Sequence, residues 1–108
     1  MNGLESSERP LCEIHDLAVV DLDGVVYVGP DPVPGAPAAI AGVQAAGMRL
    51  CYLTNNASRT PDTVADHLRR LSIGVDVSEV LTSAQVGAAL LAERLPAGSR
   101  VLVIGGEG

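Results

Sequence analysis

Leu17-Ala18-Val19-Val20-Asp21-Leu22-Asp23-Gly24-Val25-Val26-Tyr27 is the stretch that decides the fold. Its first four residues are a continuous apolar run that stops at an acid, the pattern of a strand buried on both faces in a parallel sheet. The Pro- and Gly-rich residues 29–37 then turn the chain. Further out, residues 38–46 are rich in helix-forming Ala, with Gly47 placed as a left-handed C-terminal cap. Residues 49–53 form a second strand that ends at Thr54-Asn55-Asn56. Thr60-Pro61-Asp62 opens another helix, with Thr as N-cap, Pro at the first helical position and an acid in the first turn. Val64, Leu68 and Leu71 share one face of that helix, and Gly74 closes it. Val80-Leu81-Thr82 is a short extended piece, and Ser83 caps a helix over residues 84–95 with Val86, Ala89 and Leu90 inward. Residues 101–104 read as the last strand.

The order of strand, helix, strand, two helices and strand predicts an α/β fold with three parallel strands and right-handed crossovers. Residues 1–15 lack periodicity and read as a flexible leader, which leaves residues 16–108 as the domain. Ligands of such sheets collect at the carboxyl ends of the strands, where the polar clusters at residues 21–24 and 54–56 both fall.

Composition narrows the function classes. A chain of 108 residues makes at most one small domain. With no Trp, no Phe and two Tyr, its core has to be built from aliphatics. Seven basic residues against thirteen acidic ones give a net charge of -6, the wrong sign for neutralising nucleic-acid phosphates. All seven are Arg; there is no Lys. Cys12 and Cys51 lack metal-ligand spacing and read as free thiols. The first ten residues have no basic n-region or apolar h-region, and no apolar run approaches the ~20 residues of a membrane helix, so no membrane partner and a cytoplasmic location are expected.

Asp21 and Asp23 lie two apart at a strand end, so in extended chain their carboxylates share a side. Like charges so close disfavour double ionisation unless a cation compensates, and a hard divalent ion such as Mg²⁺ suits carboxylate oxygens. A carboxylate beside such an ion is a competent nucleophile towards phosphorus, and its neighbour can serve as general acid and base. Gly24 lets backbone N–H groups approach a phosphate, and Thr54, Asn55 and Asn56 add donors at the end of the neighbouring strand.

In combination these clusters resemble the haloacid dehalogenase-like phosphohydrolases. Residues 20–27 are similar to the first motif of that family and residues 53–59 to the second motif of its NagD-type subfamily; Pro34-Gly35 and Leu81-Thr82-Ser83-Ala84-Gln85 match as well. The resemblance implies Asp21 as nucleophile and Mg²⁺ ligand, and Asp23 as general acid/base with its carbonyl on the metal. It implies Thr54 and Asn55 on the transferring phosphoryl group and Asn56 orienting the loop or touching substrate. Arg59 is a candidate contact for an anionic substrate. The implied substrate is a small phosphorylated metabolite, glycerol 3-phosphate by similarity to actinobacterial members.

The family's third motif is a Lys, which this chain lacks, and its fourth is an acidic pair that would lie beyond residue 108. The sequence therefore reads as the N-terminal half of such a core, weakly active or inactive alone, with the rival reading of a non-catalytic fragment that binds Mg²⁺ or phosphate or serves as a folding partner. A receiver-type phosphoacceptor fits less well. In the family order the first strand is central; here it becomes an exposed apolar edge, which predicts marginal stability or self-association.

Overall fold

The computed structural model describes residues 8–105. The start of the leader, residues 1–7, and the end of the Gly-rich exit, residues 106–108, lie outside the described residues. In chain order the elements are α1 (Leu11–Ile14), β1 (Leu17–Asp21), β2 (Tyr27–Val28), β3 (Asp31–Pro32), α2 (Ala36–Ala45), β4 (Arg49–Thr54) and α3 (Pro61–Arg70). A 3₁₀ turn (Val77–Glu79), β5 (Val80–Thr82) and α4 (Ser83–Arg94) follow. β1, β4 and β5 make a parallel sheet in the spatial order β1-β4-β5, while β2 and β3 pair as a small antiparallel hairpin.

Local chemistry explains the crossovers. Gly35 precedes α2 at φ +84°, and Gly47 follows it at φ +84°, a backbone region that side chains with a Cβ avoid. Thr60 caps α3 by accepting the Thr63 N–H at 3.2 Å, Pro61 occupies the first helical position, and Arg69 and Arg70 sit in the last turn, where positive charge suits the helix dipole. The Arg69 guanidinium then donates twice to the Val75 carbonyl, at 3.2 and 3.0 Å, and once to Asp66 at 3.0 Å. That clamp folds the exit of α3 back towards β5.

The core lies on one face of the sheet. Leu50 and Tyr52 of β4 and Val80 of β5 pack with Ile40 of α2 and with Val64, Ala65 and Leu68 of α3. Leu22, Val26 and Tyr27, from the turn after β1, complete the cluster. Burying each Leu or Val fully contributes roughly 1.5–3 kcal/mol, so Leu68→Ala, which also opens a cavity, costs ~2–5 kcal/mol. The opposite face is open: Leu17 and Val19 of β1 are 46% and 58% exposed.

Several expectations are corrected. The run before Asp21 is covered on one face only: Ala18 and Val20 pack against the core, while Leu17 and Val19 lie on the face that no helix covers. Residues 101–104 are not the third strand; that place belongs to β5, and Leu102 and Ile104 are 86% and 91% exposed. An apolar run reveals a need for burial but does not supply the neighbouring edge that makes it a strand. For the same reason Val86, Ala89 and Leu90 of α4 do not face inward: no residue of α4 is buried. Its cap is Thr82 rather than Ser83, in a reciprocal box with Gln85, whose side chain accepts the Thr82 N–H at 2.9 Å. After α3 the chain turns through Ser72, at φ 65°, two residues before Gly74. Both cysteines are free. No helix among the described residues is long and apolar enough to cross a membrane.

Tyr52 is fully buried, and its hydroxyl has no hydrogen-bond partner among the described residues. Burial first, and the charge of Glu79 second, push its phenol from 10.0 up to about 12. A proton held more tightly when folded stabilises the fold below pH 10, and this contribution is lost as the pH rises through about 12. Tyr52→Phe removes both the orphaned hydroxyl and the Tyr52 share of that alkaline loss. The expected result is a gain of about 1 kcal/mol at neutral pH and a shallower fall in melting temperature between pH 10 and 12, read by thermal denaturation across pH.

Candidate active site

The first functional turn is built around Leu22, which is fully buried while Asp21 and Asp23 on either side are exposed. The in-out alternation of the strand thus persists through Asp23 and puts both carboxylates on the solvent side, as their spacing predicts. The turn is then closed by the Leu22 carbonyl, which accepts the N–H groups of Val25 at 3.1 Å, Val26 at 2.9 Å and Tyr27 at 3.4 Å. Gly24 takes φ +81°, where a Cβ is strained whatever the space around it, and donates its N–H to the Tyr27 carbonyl at 2.8 Å. That donor is therefore used inside the turn, and the glycine's visible task is conformational. The Leu22 N–H donates to Asp21 Oδ1 at 2.9 Å, fixing one oxygen of that carboxylate.

The second cluster comes from the neighbouring strand. Asp21 pairs in register with Leu53, so Thr54 and Asn55 emerge one and two residues beyond it on the adjacent strand. Parallel neighbours stand about 4.8 Å apart, which brings the two clusters to one end of the sheet. Thr54 is buried, and its Oγ1 accepts the Asn56 N–H at 3.1 Å while its own proton remains available to donate. Asn56 Oδ1 accepts from both the N–H and the hydroxyl of Ser58, an Asx turn that ends the strand and leads into Arg59 and the α3 cap. Asn55 is exposed, and its carbonyl accepts the Ser83 hydroxyl at 3.2 Å. Thr54 and Asn55, with Leu53, Leu81, Thr82 and Val86, line a groove of about 290 Å³.

The charges of this end converge on Tyr27. Its phenol is raised above 10.0 by burial first and by Asp23 next, is lowered by Arg59, and is raised again by Asp21. Arg59 is the only basic residue in the connections that leave the carboxyl ends of β1, β4 and β5, and it is exposed. Asp21 and Asp23 are hard oxygen donors suited to Mg²⁺, which commonly takes one or two carboxylates and completes its shell with water and phosphate oxygens. Among the described residues no group of three or more His, Cys, Asp and Glu gathers to hold a metal. The pair thus fits the ion as part of a coordination shell.

Sequence reasoning missed His67. A lone histidine is ordinarily solvated, yet this one is 9% exposed and meets Tyr27 edge to face, with ring centroids 4.4 Å apart and planes at 78°. The signal was available: His67 falls on the helical stripe with Val64 and Leu68, three residues after one and directly before the other.

Comparison with known proteins places the chain as a whole. A family profile described as haloacid dehalogenase-like hydrolase matches residues 18–108. The chain is 41% identical over 99 residues to D-glycerol 3-phosphate phosphatase of Mycobacterium tuberculosis, covering 92% of this chain and 27% of that protein. It is 42% identical over 92 residues to glycerol-3-phosphate phosphatase of Gallus gallus, covering 84% and 30%. Among solved structures, the magnesium complex of the mycobacterial glycerol phosphate phosphatase superimposes with a TM-score of 0.81 at 43% identity, over 89% of this chain and 28% of that one. A calcium complex of the same enzyme gives 0.81 at 40%, over 92% and 29%. The chain thus spans under a third of the length of these relatives.

Tyr27 offers a direct reading of the site's charges. In a Tyr52→Phe background it is the only tyrosine, so a spectrophotometric titration reports on it alone. Asp23→Asn is expected to bring its pKa back towards 10.0, and Arg59→Gln to move it further up; shifts of the opposite sign would contradict the arrangement.

Proposed function

The chain belongs to the haloacid dehalogenase-like hydrolases, and on that premise we propose that it carries the nucleophile and acid/base residues of a Mg²⁺-dependent phosphomonoester phosphatase. The observation that carries the reading is the pair of exposed carboxylates flanking a buried Leu22, one strand away from Thr54 and Asn55. With Oδ1 of Asp21 held by the Leu22 N–H, Oδ2 is the oxygen left to attack. It forms a bond to phosphorus as the bond from phosphorus to the substrate oxygen breaks, giving an aspartyl-phosphate. Asp23 donates its proton to the departing alkoxide, then takes one from the water that attacks phosphorus, releasing inorganic phosphate and restoring Asp21. The Thr54 hydroxyl and the Asn55 amide hold the phosphoryl oxygens, Asn56 fixes the loop, and Gly24 shapes the turn that presents Asp23. The Asp21 carboxylate and the Asp23 carbonyl would hold Mg²⁺, which when bound supplies positive charge against the phosphoryl oxygens.

For substrate we propose a small phosphorylated metabolite of the glycerol 3-phosphate class, supported by the names of the mycobacterial and avian relatives. Arg59 supplies positive charge where the anion arrives. A second reading is favoured by one fact: no Lys occurs in the 108 residues to neutralise the transferring phosphoryl group. On that reading the chain alone binds Mg²⁺ or phosphate without efficient turnover.

Hydrolysis of p-nitrophenyl phosphate and of glycerol 3-phosphate with Mg²⁺ tests both. Asp21→Asn is expected to abolish turnover, Thr54→Val to lower it by about 10²-fold as for removal of one donor to a developing anion, and chelation of Mg²⁺ to stop it. Activity unchanged in Asp21→Asn would reject the mechanism. A rate for the 108-residue chain equal to that of the full-length mycobacterial relative would reject the second reading.

A further inference from the structure

The turn that presents Asp23 has a second anchor beyond Leu22. The Tyr27 carbonyl accepts the Gly24 N–H, and Asp23 and Tyr27 form an isolated backbone bridge, so the position of Tyr27 sets the position of Asp23. The Tyr27 ring is 3% exposed and meets the His67 imidazole of α3 at a centroid distance of 4.4 Å. His67 is an unusual choice for that place if stability alone were served. Its Nε2 is buried and has no hydrogen-bond partner among the described residues, a cost that a leucine on the same stripe would avoid. What leucine could not provide is an aromatic edge or face set against the Tyr27 ring, a geometry worth ~0.5–1.5 kcal/mol beyond the area buried, which corresponds to about 2- to 13-fold in an opening equilibrium. The helix that carries His67 starts at Pro61, directly after the Thr54–Arg59 loop.

We propose that Tyr27 and His67 are positioning residues for Asp23: their ring contact ties the turn carrying the acid/base carboxylate to the helix that leaves the phosphate-binding loop. Thus one clamp holds both halves of the site at a fixed spacing. The role given to Asp23 rests on the phosphatase reading above; the mechanical link does not.

The test is native-state hydrogen exchange of the Gly24 amide, followed by NMR in the 108-residue chain, with His67→Phe against His67→Leu. Both variants remove the orphaned Nε2, so both should melt at or above the temperature of the original; only Phe keeps a ring against Tyr27. The expected result is Gly24 exchange about tenfold faster in the Leu variant than in the Phe variant, with no such difference at Ala65 or Leu68. Equal Gly24 exchange in the two variants, or a difference spread equally over α3, would overturn the proposal. If either variant fails to fold, Tyr27→Phe against Tyr27→Leu makes the same comparison from the other side of the contact. Turnover unaffected by Asp21→Asn would remove the phosphatase reading while leaving the exchange difference standing, so the two failures are told apart.

Discussion

The burial of Leu22 is the constraint on which the rest depends. A leucine drawn completely out of water at the end of a strand forces its neighbours, both aspartates, outward, and its carbonyl becomes the acceptor around which the next turn is wound. Remove that anchor and neither carboxylate has a defined direction. The chemistry of the site is thus a by-product of hydrophobic burial: the core holds the leucine, and the alternation of the strand does the aiming.

The second half of the site is positioned by register rather than by direct contact. Pairing Asp21 with Leu53 fixes how far Thr54 and Asn55 reach beyond Asp21, and a slip by one residue would turn the whole buried series Leu50, Tyr52 and Thr54 to the open face. Burial of Tyr52 and Leu50 in the core cluster is what opposes that slip. Electrostatics enters last. Two acids and one arginine share a short rim around a buried phenol, and their balance is set by loops whose shapes the core has already determined.

Elements with chemically specific ends were legible in the residues. The strand stopping at Asp21, the Thr60-Pro61-Asp62 helix start and the left-handed Gly47 all carry their own local reasons, and each is found where those reasons place it. The two polar clusters were legible because both follow apolar runs and therefore had to lie at strand ends. What could not be read depends on partners distant in sequence. Residues 101–104 and the apolar positions of α4 announce surfaces to be covered, yet nothing in their own pattern names the cover. His67 was not legible because a lone histidine is ordinarily wet; only the arrival of Tyr27, forty residues earlier in the chain, makes it an interior ring. Gly24 reads as opening backbone N–H groups to a phosphate; that its own N–H is taken by the Tyr27 carbonyl becomes visible only once the turn is closed.

The junction between β5 and α4 has a mechanical meaning. Thr82 is at once the last residue of the strand, the register partner of Thr54 and the N-cap of the helix, so no loop separates the three roles. A joint without slack transmits torque. α4, twelve residues and therefore about 18 Å long, is a lever whose fulcrum lies one strand from Thr54. Whatever leans on the exposed flank of that helix bears, through Thr82, on the strand that pairs with Thr54.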